Sequence, residues 1–189
     1  MAALLVGLPF RILDLGDVPA IMLPPEGETS YADNALRKAR AVAAATGGIA
    51  VADDSGIEVD ALGGRPGVLS ARYGGEGLSD AERCRALLRE LTGTPPERRT
   101  ARYRCVVALC APAGREATAQ GMVEGVILEG PRGTGGFGYD PLFYYPPLRA
   151  TFAEIAPAAK HAVSHRGQAM ARARSILLSW IADRPAAAP

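Results

Sequence analysis

Asp53 and Asp54 stand side by side in IAVADDSG, residues 49–56, directly after the apolar run Ile49 to Ala52. A short buried strand that runs into two carboxylates can hold a divalent cation, because magnesium is usually taken up through one or two carboxylates together with the phosphates of a bound ligand. If both acids stay on the strand, their side chains leave opposite faces. One then faces the metal while the other orients a neighbouring side chain or a backbone amide. The same DDSG also fits a turn capped by Asx and Ser side chains. Glu26, Glu28 and Asp33 are the other acids close by in sequence.

Three further groups carry chemistry. Lys38 follows Asn34 by one helical turn, so a cation and an amide point toward one spot, although a solvated lysine has the same spacing. GTGGFGYDP, residues 133–141, has four glycines that leave backbone amides uncovered for anions, and Phe137 and Tyr139 offer flat faces for a base to stack on. An ordinary hairpin loop has the same glycine content. KHAVSHRGQA, residues 160–169, sets Lys160, His165 and Arg166 about the start of a helix, where free amides already favour negative charge. Cations there suit an anionic ligand or a surface salt-bridge network.

The elements that must position these groups read as follows. Phe10 to Leu15 suggests a first strand, and Ile21 to Leu23 a short extended piece stopped by Pro24 and Pro25. Ser30 caps a helix with Asp33 in the manner of a capping box, and Ala35, Ala39, Val42 and Ala43 keep one face until Gly47 and Gly48. Ser79 with Glu82 opens a second helix carrying Leu87, Leu88 and Leu91. Arg102 to Cys110 and Thr118 to Leu128 read as strands of one long hairpin, Leu142 to Tyr145 as a short strand. The last helix runs from about His165 to Ile181, and 185–189 form a frayed tail. This is an α/β chain with one domain over 1–184.

At 189 residues, 48% apolar and 22% charged, the chain can bury one sizeable core. Its 21 Lys and Arg nearly cancel 20 Asp and Glu, so no general field holds duplex DNA or another nucleic acid and any anion must bind locally. Cys84, Cys105 and Cys110 are an odd set without CxxC spacing, which argues against a disulfide framework or a zinc site and fits a reduced cytoplasm. No apolar run approaches the roughly 20 residues that span a bilayer, and no basic-then-apolar leader opens the chain, so membrane insertion is not expected.

Taken in order, NA and KA (Asn34, Ala35, Lys38, Ala39), ADDSG (Ala52 to Gly56), VDALGGRPGVLSARYGG (Val59 to Gly75), TGGFGYDPLF (Thr134 to Phe143), FAE (Phe152 to Glu154) and SHRGQA (Ser164 to Ala169) resemble the inosine triphosphate pyrophosphatase, or Ham1, family. The resemblance implies an elongated α/β fold with a mixed sheet flanked by helices, two lobes and a nucleotide in the central cleft. It implies a homodimeric, magnesium-dependent enzyme that hydrolyses ITP, dITP and XTP to the monophosphate and pyrophosphate. By the same resemblance Asp54 is the catalytic carboxylate and a metal ligand, and Glu26 the second metal ligand, with Glu28 as alternative. Lys38 and Ser55 meet the phosphates. Phe137, Gly138, Tyr139 and Asp140 line the base and sugar end, and Lys160, His165 and Arg166 contact the nucleotide. All of these residues are expected around one cavity.

Two departures from the family pattern stand out. Members normally open with an apolar strand leading into a TGNxxK loop that binds the triphosphate, whereas this sequence opens MAALLVGLPFRILDLGD, with Met1 to Leu5 resembling the tail of the helix after that loop. The expectation is either a start placed downstream or a shortened relative, a catalytically impaired nucleotide-binding or dimerisation module, with an exposed strand edge and poor solubility. Asp33 stands where the family usually has glutamate. Discrimination against ATP is expected from donors aimed at the purine six-carbonyl, supplied by His165, Arg166 or backbone amides.

Overall fold

The computed structural model describes Leu5 and residues 7–183. Met1 to Leu4 and the tail 185–189, for which a helix end and a frayed terminus are expected, lie outside the described residues. The described chain is α/β, with four helices and a five-stranded sheet in the order β1-β2-β3-β4-β5. Every pairing is antiparallel.

Residues 10–15 do not form the expected strand. The segment before the first helix is irregular apart from a 3-10 turn at Leu15–Asp17, and Leu13, Leu15 and Met22 are exposed. A strand is stabilised by ladder hydrogen bonds, and among the described residues this segment pairs with none. The first helix, α1 (Tyr31–Thr46), begins and ends as its residues dictate. Ser30 Oγ accepts from the Asp33 amide at 3.2 Å and Gly47 closes the helix at φ +66°. Asp33 completes no reciprocal capping bond, in keeping with its short arm.

The acids are inside a strand and not in a turn. β1 (Ala50–Val59) continues through DDSG and pairs along its whole length with β2 (Thr100–Cys110), Asp54 opposite Val106 and Asp53 opposite Val107. β2 in turn pairs with β3 (Glu116–Ile127), the expected long hairpin, followed by β4 (Phe143–Tyr145) and the two-residue β5 (Ala150–Thr151). The sheet around β1 and β2 is covered on both sides. One face, with Ala50, Val106, Ala108 and Cys110, packs on Ala35, Ala39 and Ala43 of α1, whose small side chains let helix and sheet approach closely. The other face, with Cys105, Val107 and Leu109, packs on Ala169, Met170, Ala173, Leu177 and Trp180 of the last helix.

Beyond Gly56 the sheet enters a third cluster. Here Ile57, Val59 and Tyr103 meet Leu87 of α2 (Asp80–Glu90) and Leu91 just after that helix, with Phe143 and Phe152. α2 has the full capping box read from Ser79 and Glu82. Asp53, Asp54 and Ser55 therefore lie where the three clusters meet. A short helix not foreseen from the sequence, α3 (Pro157–Val163), precedes α4 (His165–Ala182), because Pro157 opens one helix and Ser164 caps the next. Gly121 of β3 admits α4: a Cβ there would overlap the His165 carbonyl oxygen and lie 2.7 Å from the Ala169 nitrogen.

Candidate active site

On the α1 face, Asp54 is buried and doubly held. Its Oδ2 accepts from Asn34 Nδ2 at 3.1 Å and its Oδ1 from Lys38 Nζ at 3.1 Å. Lys38 Nζ also reaches Glu26 Oε1 at 2.9 Å, so one ammonium stands between two carboxylates. Asn34 orders the Glu26 loop as well, accepting from the Gly27 amide at 2.7 Å and donating to the Gly27 carbonyl at 3.1 Å. Glu26, not Glu28, shares Lys38. Burial lifts the Asp54 carboxyl above its ordinary range, with the Lys38 charge and the Asn34 bond pulling the other way. Burial works against the Lys38 ammonium too, yet its bond to Glu26 and the charge of Asp54 leave it above its ordinary value.

On the α4 face, Asp53 Oδ2 accepts from Arg166 Nε at 2.9 Å, and Arg166 Nη2 donates to Ser55 Oγ at 3.0 Å. The two aspartates thus leave β1 on opposite faces, and Asp53 orients a neighbour. Lys160 is buried and bonded to Asp140, and its Nζ lies 4.4 Å from the centre of the Phe137 ring, with Arg166 Cζ 5.3 Å from the same ring. Phe137 is 55% exposed, so much of its ring meets solvent. Asp140 also takes the Phe137 amide at 2.8 Å. Tyr139 is buried, its hydroxyl donating to the Ser70 carbonyl at 2.8 Å, so it supports the loop and presents no free ring face. Each cation near the start of α4 already has a carboxylate partner, so no bound anion is needed to explain its presence.

His165, at the first position of α4, is 4% exposed and stacks on Tyr103, centroids 4.6 Å apart and planes within 9°. Burial, with Arg166 and Lys160 adding to it, pushes its imidazole down to about 3. It is a neutral group at any ordinary pH, and its buried Nδ1 has no protein partner. Burial pushes the thiols of Cys84 and Cys105 up to about 11 and about 12, so neither is a ready nucleophile.

The structure therefore gathers the predicted residues into two groups. Glu26, Lys38 and Asp54 form one; Ser55, Phe137, Asp140, Lys160, His165 and Arg166 form the other around the start of α4. Asp54 leaves one face of β1 and Ser55 the other, because successive residues of a strand point to opposite faces. The two groups are joined through the consecutive residues Asp54 and Ser55. A cavity of about 510 Å³ lies elsewhere, between Tyr31, Glu58, Arg104 and the 63–69 loop. Among the described residues no cluster of three or more His, Cys, Asp or Glu is placed to hold a metal, and no helix is long and apolar enough to cross a membrane.

Carboxylates thus flank a lysine on one side of β1, and basic side chains lie near an aromatic ring on the other, in an α/β protein. The chain belongs to the Ham1 family, whose profile matches residues 1–176. It is 53% identical over 171 residues to the dITP/XTP pyrophosphatase of Geobacter sulfurreducens, covering 90% of this chain and 86% of that protein. It is 51% identical to the enzyme of the same name from Thermus thermophilus, covering 88% and 79%. A Ham1 protein of Coxiella burnetii superposes with a TM-score of 0.75 at 42% identity, over 83% of this chain and 82% of that one. The nucleoside-triphosphatase / dITP/XTP pyrophosphatase of Mycobacterium abscessus does so at 0.71 and 46%, over 88% and 85%.

Proposed function

We infer that this protein is a nucleoside-triphosphate pyrophosphatase that hydrolyses dITP, ITP and XTP to the monophosphate and pyrophosphate, clearing deaminated purines from the nucleotide pool. Its curated relatives of about half-identical sequence carry that activity in their names. The observation that carries the reading to particular residues is Lys38 held between Asp54 and Glu26, at 3.1 and 2.9 Å.

Lys38 brings Asp54 and Glu26 to one cation, and magnesium, which takes one or two carboxylates at about 2.1 Å plus phosphate oxygens, would draw the same two acids closer than the ammonium does. Asp54 and Glu26 are the residues that would hold it; bound there, it would neutralise phosphate charge and acidify a water. Lys38 would then turn its charge to the phosphates, which carry about four negative charges in a triphosphate. Asp54, its Oδ2 kept in place by Asn34, would orient the attacking water and help deprotonate it. Ser55 and Arg166 would meet the phosphates from the other side of β1. The base would lie against the outward face of Phe137, with Lys160, Asp140 and the neutral His165 beneath and beside that ring. A neutral imidazole can present either a donor or an acceptor to a purine edge, which a charged one cannot. Two copies of the chain are proposed to associate, as the family resemblance implies.

The test is product analysis. Incubation of the protein with ITP and magnesium should yield IMP and pyrophosphate in equal amounts, with ATP turned over far more slowly. Release of single phosphates, or equal use of ATP, would overturn the substrate assignment.

A further inference from the structure

The loop that carries Phe137 is held from outside by a residue that neither the family resemblance nor the site residues above include. Asp80 is the first residue of α2, and its Oδ2 accepts from the Gly138 amide at 2.6 Å. One turn later on the same face, Cys84 Sγ lies 3.4 Å from the Gly138 carbonyl oxygen, so both polar groups of that residue are directed at α2. The second oxygen of Asp80 pairs with Arg83, whose guanidinium also binds the Leu78 carbonyl. Gly138 has φ +60°, in the left-handed region that glycine adopts readily, and glycine's conformational freedom makes the two contacts to its backbone the ones that fix the turn. From the other side Asp140 holds the Phe137 amide. Phe137 is thus suspended between an aspartate within the loop and one on α2, with its ring fixed over Lys160 and Arg166.

We propose that Asp80 is a positioning residue for the base-binding loop, setting the orientation of Phe137 and thereby affinity for the purine and discrimination between purines. The inference rests on the reading of Phe137 as the base platform. It assigns the start of α2 a part in specificity through the Gly138 backbone. An alternative for Asp80 is purely structural, since an acid in the first turn of a helix stabilises the helix wherever it sits.

Steady-state kinetics on ITP and ATP separate these roles. In Asp80→Ala, KM for ITP should rise about tenfold with kcat within about twofold, and the preference for ITP over ATP should fall about tenfold, the effect of losing one charge-assisted hydrogen bond. Asp80→Asn keeps an oxygen for the Gly138 amide and should stay within about threefold of wild type. Glu82→Gln weakens the capping box at the same helix end without touching the loop, so its KM and preference should be those of wild type. If Asp80→Ala does not fold, Asp80→Glu keeps the helix charge but displaces the carboxylate, and its KM should also rise. An Asp80 variant that lowers Tm as Glu82→Gln does, with KM and preference unchanged, overturns the proposal. Phe137→Ala guards the underlying reading: a raised KM there with no change in the Asp80 variants refutes Asp80 alone, whereas an unchanged KM in Phe137→Ala refutes the base platform and the proposal with it.

Discussion

His165 gives a pH dependence of stability that follows from its burial. Its imidazole is pushed from 6.5 to about 3 in the folded chain, chiefly by burial. In the unfolded chain it titrates near 6.5, so below that pH the unfolded state binds a proton that the folded state refuses. Stability is therefore complete above pH 6.5 and is lost progressively as pH falls from there toward about 3. Between pH 7 and pH 5 the loss from this one group is about 2 kcal/mol, since each unit of separation is worth about 1.4 kcal/mol. In a chain of this size that corresponds to a Tm shift of about 4–8 °C. The perturbation is His165→Gln, which removes the titration while keeping a polar planar end. Urea denaturation of both proteins at pH 7 and pH 5 isolates the term, because carboxylates such as Asp54 contribute equally to both and cancel. The wild type should lose about 2 kcal/mol more than the variant over that interval. Equal losses would mean that His165 is protonated in the folded protein and that its packing on Tyr103 does not exclude the charge.

Other expectations are equally direct. Lys38→Met should lower kcat/KM for ITP by about a hundredfold, as loss of a positioned charge on a phosphate does, whereas Arg40→Met, on the same helix but half-exposed and paired with Glu116, should leave it unchanged. Gly121→Ala should cost about 3 kcal/mol in denaturation, because the added methyl meets backbone atoms of α4 and not a movable side chain end. Chelation of divalent ions by EDTA should abolish pyrophosphate release, and excess magnesium should restore it.

Much of the fold was legible where side chains and backbone agree locally. Ser30 and Gly47 bound α1, Ser79 with Glu82 opens α2, and the alternation along Arg102 to Cys110 marks a strand. The failures came where partners decide. Residues 10–15 have strand-forming side chains but, among the described residues, no neighbouring edge to bond. DDSG has turn chemistry but is drawn into β1 by a full ladder with β2. α3 escaped because its seven residues, rich in alanine, carry no amphipathic stripe. At the site, the alternation of a strand told that Asp53 and Asp54 part company, and Asn34 one turn before Lys38 told that both reach one spot. Nothing local marked Asp80 as more than an acid in the first turn of a helix, since its partner is 58 residues away. Nor did composition show that Lys160 and Arg166 are each neutralised by a carboxylate.

The central claim is that Asp54, gripped by Asn34 and Lys38 on the α1 face of β1, is the carboxylate on which hydrolysis depends. Asp54→Asn keeps its shape and the Asn34 contact while removing the charge. With ITP and magnesium, pyrophosphate release by this variant should fall by about a thousandfold or more, with ITP still bound and the cooperative unfolding transition retained. A folded Asp54→Asn protein that releases pyrophosphate at the wild-type rate would contradict the account.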